Sequence, residues 1–166
     1  MLSVLLSTRI RHNIAVDTSR ALYEAGLRDP RRMAEATWQQ RVDALGRGGY
    51  RRYDESTATQ LGDGAELLRD KYKGDPRRMR EAADGDLDEL RRPLREVPGL
   101  GPVGADIFLR EVQSVWPEAA PYLDAKALQG ARRLGLPDGA KRLARLVGDG
   151  DPAVFAAALV RVALAK

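Results

Sequence analysis

Between Val97 and Ala105 the chain reads Val-Pro-Gly-Leu-Gly-Pro-Val-Gly-Ala, and no other stretch constrains the fold as much. Pro98 pushes the residue before it out of the helical region, so an incoming helix has to stop at Val97. Gly99 and Gly101 accept a left-handed backbone and carry no side chain to block a ligand, and Pro102 suits the first turn of a new helix. The pattern predicts helix, tight glycine hairpin and helix over residues 86–115. Backbone N–H groups at the start of the second helix, at the positive end of its dipole, can hold an anion without reading sequence. The same residues also serve as a plain connection between two helices.

The rest of the chain is patterned the same way. Apolar residues recur at three and four, and alternating β-branched runs are scarce, which predicts an all-α fold with no strand. Helices are expected at 1–7, 14–25, 38–45, 53–72, 86–95, 101–115, 141–147 and 152–164. Two segments, Asp29-Pro-Arg-Arg-Met and Asp75-Pro-Arg-Arg-Met, carry Asp as N-cap and Pro at the first helical position, so a shared start signal accounts for both without an internal repeat. Asp124, before Ala-Lys-Ala-Leu-Gln-Gly-Ala, is also an N-cap pattern.

Hydrophobic residues make up 43% and charged residues 31% of the 166, a globular composition with no apolar run near the ~20 residues of a membrane span. The apolar start Met-Leu-Ser-Val-Leu-Leu-Ser lacks a basic leader and a small-residue cleavage site, and reads as helix rather than signal peptide. With no cysteine, disulfides, thiolate nucleophiles, cysteine zinc sites and iron–sulfur clusters are excluded. His12 is the single histidine and sits in no metal-ligand spacing, so no metal site is expected. A net charge of +4, mostly arginine, fits a phosphate-binding surface. It also fits the coding bias of a GC-rich genome. In Gly-Arg-Gly-Gly-Tyr-Arg-Arg-Tyr-Asp-Glu, residues 46–55, Arg47, Arg51 and Arg52 can meet phosphates or simply be solvated.

Residues 97–105 resemble the helix–hairpin–helix of the DNA glycosylase superfamily typified by endonuclease III, departing from its pattern at Val103 and Gly104. A Leu123-Asp124 pair follows a helix and a loop later, as the family's Val-Asp does. Leu5 to Asn13 is similar to the family's Leu-Leu-Ser-x-Gln-x-Thr segment, and the Gly46 to Arg52 turn to its Gly-x-Tyr turn. The resemblance spans 1–137 of a single domain, 1–166. It begins without a counterpart of the family's first helix and lacks the cluster loop at the other end.

The resemblance implies an endonuclease III-like all-α fold and hydrolysis of the N-glycosidic bond of a damaged or mismatched base flipped out of duplex DNA. It places Asp124 as the catalytic carboxylate, which would stabilise the sugar as it becomes cationic. The hairpin backbone at Gly99, Leu100, Gly101, Val103 and Gly104, with Arg9 and Arg51, would contact DNA. Arg9 stands where endonuclease III has the glutamine that fills the gap left by the base, and either enters the stack or touches phosphates. Tyr122 and Lys126 are candidate pocket residues. Val103 occupies the position of the family's lyase lysine and offers no amine for a Schiff base, so a monofunctional enzyme is expected. Lys126 is either a substitute amine or a solvated or phosphate-contacting lysine. No cofactor is expected beyond a monovalent cation at the hairpin. The expected partner is lesion-containing double-stranded DNA, with no membrane, and the expected state a cytoplasmic, nucleoid-associated monomer. A non-catalytic DNA-binding or lesion-sensing module is the alternative. A third reading is a helical protein-interaction domain without nucleic acid.

Overall fold

The structure is a computed structural model that describes residues 1–165. Among them are eleven α-helices and one 3-10 turn, with no strand. The chain divides into two compact units, Met1–Ala105 and Asp106–Lys166, and the boundary falls inside one helix. Among the described residues, no helix is long and apolar enough to cross a membrane.

In the first unit α1 (Leu2–Leu6), α2 (His12–Glu24), α3 (Pro30–Glu35), α4 (Trp38–Arg47), α5 (Asp54–Tyr72), α6 (Arg77–Ala82) and α7 (Leu87–Glu96) follow one another. Side-chain caps set several of the starts by satisfying N–H groups that a first helical turn leaves open. Asp29 accepts from Arg32 N at 2.8 Å, Thr37 and Gln40 form a reciprocal capping box, and Asp86 accepts from Asp88 N and Glu89 N.

The two Asp-Pro-Arg-Arg-Met segments differ. At the first, Asp29 is the N-cap of α3 and Pro30 its first residue. At the second, the cap position is Pro76, and α6 starts at Arg77. Asp75 N bonds Tyr72 O at 3.0 Å, closing the turn after α5. The Asp75 carboxylate instead takes both the backbone N–H and the guanidinium of Arg77, which lowers its pKa.

Leu5, Leu22, Leu45 and Tyr50 are fully buried in this unit. Arg41 joins three of its helices, donating from Nε to Ala58 O at 2.8 Å and from Nη1 to Met33 O at 3.0 Å and Ala36 O at 2.7 Å. The last two are carbonyls at the end of α3 that a helix leaves without partners.

α8 (Gly101–Val112) begins in the first unit and continues in the second. It ends three residues short of the expected Val115. The second unit continues with a 3-10 turn (Pro117–Ala119), α9 (Ala125–Arg133), α10 (Ala140–Val147) and α11 (Pro152–Leu164). Asp151 caps α11 and accepts from Ser114 Oγ. Gly130 lets α9 lie directly against α11, since any Cβ there would strike the Leu159 carbonyl. Ala127, Ala131, Leu143 and Leu159 form the core, and Phe108 meets Trp116 edge to face at 5.4 Å.

Candidate nucleic-acid interface

The hairpin takes the conformation its glycines allow. α7 ends at Val97 in extended backbone (φ −69°, ψ 119°). Gly99 lies at φ +83° and Gly101 at φ +48°, a region that costs a residue with a side chain about 1–2 kcal/mol. Leu100 N bonds Val97 O at 3.1 Å and closes the turn. Gly101, Pro102 and Val103 are exposed, Val103 at 66%. Leu100 and Gly104, both expected to contact DNA, are buried. A methyl at Gly104 would lie 2.5 Å from Ser7 Oγ and 3.0 Å from Leu100 Cδ2.

That contact brings the end of α1 to the hairpin, and a second one extends the cluster. Thr8 Oγ1 and Tyr50 Oη are hydrogen-bonded at 2.7 Å, and Thr57 Oγ1 donates to the same phenol at 3.2 Å. The fully buried Tyr50 thus joins the loop carrying Arg9 to the loop carrying Arg51 and fixes both to α5. Arg9, Arg11, Arg51 and Arg52 are exposed on these two loops, with Arg52 over the Tyr53 ring at 5.3 Å. Three expected contact elements, the hairpin, Arg9 and Arg51, therefore belong to one neighbourhood of the first unit. The Tyr50 link leaves no local pattern, because Tyr50 and Thr8 lie 42 residues apart in the chain.

Asp124 lies in the second unit, at the N-cap of α9. Its Oδ1 accepts from Ala127 N at 2.8 Å and its Oδ2 from Arg110 Nη1 at 2.6 Å. Both side chains of this ion pair are 8% exposed. Arg110 belongs to a polar ladder with Asp106 on α8 and Gln113 just past its end, at spacings of four and three. Tyr122 Oη donates to Asp106 Oδ1 at 2.5 Å. Gln113 donates to Tyr122 O at 3.0 Å and accepts from Tyr122 N at 2.9 Å. Tyr122, expected near a pocket, is 8% exposed and anchored at both its backbone and its phenol. Lys126 is exposed and donates to Gln129 Oε1 at 2.9 Å.

The ladder is what reading the sequence missed. Its signal was present: Asp106, Arg110 and Gln113 recur one turn apart in Ala-Asp-Ile-Phe-Leu-Arg-Glu-Val-Gln, where Glu111 is the one other polar residue. Only their partners, nine to sixteen residues away, were out of reach. Among the described residues no group of three His, Cys, Asp or Glu side chains comes together as a metal site. No family model, curated protein or solved structure matches this chain.

Proposed function

We propose that the protein binds duplex DNA through the Pro98–Gly101 elbow and hydrolyses the N-glycosidic bond of a damaged or mismatched base. This is the reaction expected of an endonuclease III-like helix–hairpin–helix glycosylase, whose fold is part of the proposal. The elbow carries the reading. Gly99 and Gly101 hold a left-handed turn, Gly101, Pro102 and Val103 are exposed and free of polar side chains, and two arginine loops are fastened beside them. Such a surface grips a phosphate by backbone N–H and dipole and leaves base choice to other residues.

Asp124 is the carboxylate of this proposal. Arg110 and the Ala127 N–H fix its orientation, and electrostatic stabilisation of a cationic sugar favours a group that does not reorganise during the reaction. Val103 supplies no amine, so the product is an intact abasic strand. A panel of duplexes with oxidised, alkylated, deaminated and mismatched bases, treated with alkali after incubation, tests the reading. Base release from at least one substrate is expected, abolished by Asp124→Asn with DNA binding retained. No release on any substrate at high protein concentration overturns it.

One observation favours a second reading, a non-catalytic lesion-sensing protein: both Asp124 oxygens are occupied and the side chain is 8% exposed. That reading expects salt-dependent binding to abasic or distorted DNA, weakened at Gly99 and Gly101, with no product.

A further inference from the structure

The positive charge of the chain is concentrated in one segment of the second unit. Between Ala125 and Val147 six cations, Lys126, Arg132, Arg133, Lys141, Arg142 and Arg145, stand against one carboxylate, Asp138, a net charge of +5. The whole chain carries +4, so all other residues together are net negative by one.

Packing turns most of this charge outward. Leu143 of α10 is fully buried in the core with Ala127, Ala131 and Leu159. Lys141 and Arg145 lie two positions to either side of Leu143, which on a helix turns each about 160° away from it. Arg142 is exposed beside them. On α9, burial of Ala127, Gly130 and Ala131 leaves Lys126 and Arg132 exposed. Arg133 has its own task, donating to Val162 O and Ala165 O at the end of α11. The other five have no carboxylate partner among the described residues, whereas Arg69, Arg77, Arg91 and Arg92 each pair with a neighbouring carboxylate. Like charges gathered without counter-charge repel one another and oppose compaction, and a polyanion relieves that repulsion.

We infer that the outward face of α9 and α10 is a second DNA-backbone contact, made by side-chain charge where the elbow uses backbone N–H groups. The inference rests on the DNA-binding part of the proposed function. Three of the five cations are guanidinium groups, whose forked donors match phosphate oxygens in pairs. A lipid surface fits less well, because the apolar side of α10 is spent on the core of the unit, leaving Leu146 as its large exposed apolar residue, at 55%.

The test is a salt titration of binding to a short undamaged duplex. It compares wild type, Lys141→Gln/Arg142→Gln/Arg145→Gln and the corresponding triple glutamate variant, each checked for native helicity. Each lost phosphate contact lowers the slope of log K against log salt by about 0.9, so a fall of roughly 2–3 is expected in the glutamine variant. Its affinity should drop at least about tenfold at low salt, and the glutamate variant's further. A wild-type slope in both folded variants overturns the inference, as does absence of salt-dependent duplex binding by the wild type. Binding to anionic phospholipid vesicles that exceeds duplex binding and is lost in the triple variants also overturns it, in favour of a membrane surface. If the variants lose duplex binding while the wild type releases no base, the glycosylase reading fails and this one stands.

Discussion

At the elbow of the first unit, Gly101, Pro102 and Val103 stand exposed without a polar side chain. Around Asp124 in the second, the Tyr122 phenol and the Asp124 carboxylate each meet a side chain of α8, and the Tyr122 backbone meets Gln113 just past its end. The first region is built by omission: two glycines and two prolines shape a surface that offers only backbone. The second is built by near-saturation, with buried polar groups matched in pairs except Arg110 Nε, which has only Glu111 Oε1 at 3.5 Å. Omission leaves a surface open to a ligand, while saturation leaves a segment rigid and closed. The two regions should therefore respond to substitution in opposite ways.

The largest effect is expected at the saturated end. Arg110→Ala leaves the Asp124 carboxylate 8% exposed without its cation, and breaking one side of a buried pair costs about 3–5 kcal/mol. Denaturant unfolding measures it. Adding Asp124→Asn, which keeps an oxygen for the Ala127 N–H, should recover part of the loss, so that the double variant is more stable than the sum of the single changes. Strict additivity would mean that the pair contributes nothing as a pair, and the contrast between the two regions would lose one side.

At the elbow the two glycines should separate. A Cβ at Gly99 would lie 2.7 Å from Gln60 Oε1 and 2.9 Å from Val4 Cγ1, at φ +83°. Gly99→Ala therefore combines backbone strain with a clash in the core, and about 2 kcal/mol of destabilisation is expected. Gly101, at φ +48°, has nothing within 4 Å of the same position, and Gly101→Ala should cost only about 1 kcal/mol. Thermal unfolding orders them. Equal losses would show that backbone conformation alone governs the turn.

The same contrast explains what could be read from the chain. The elbow and most helix starts were legible because each depends on a few consecutive residues: Pro98 stopping α7, or Asp29 and Thr37 bonding N–H groups three residues on. At Asp75 the helix begins later than the pattern says, at Arg77, although the carboxylate still accepts from the Arg77 N–H. Asp124 was legible as a cap and, by resemblance, as a candidate carboxylate, but its Arg110 partner was not, since an ion pair across fourteen residues leaves no local pattern. Tyr50 shows the same limit. Its phenol joins loops 42 residues apart, and nothing near it in the sequence marks it as the link between Arg9 and Arg51. Local backbone geometry can be read from sequence; side-chain pairing through the core requires the packing.

The smallest effect on stability and the sharpest test of the elbow come from one position. Val103 is 66% exposed at the start of α8, so Val103→Lys should change stability by less than about 0.5 kcal/mol. It should nonetheless change what the protein can do. An amine at this position would add to the sugar aldehyde of an abasic site, lose water and form a Schiff base, which borohydride reduces to a stable secondary amine linking protein to DNA. A covalent adduct on abasic duplex is expected for Val103→Lys and not for the wild type. It should be lost when Gly99→Ala is added, because a displaced elbow no longer presents the amine. A folded Val103→Lys protein that binds abasic DNA but yields no adduct would mean that the elbow holds the backbone without presenting position 103 to the sugar. The open region would then be a clamp and nothing more.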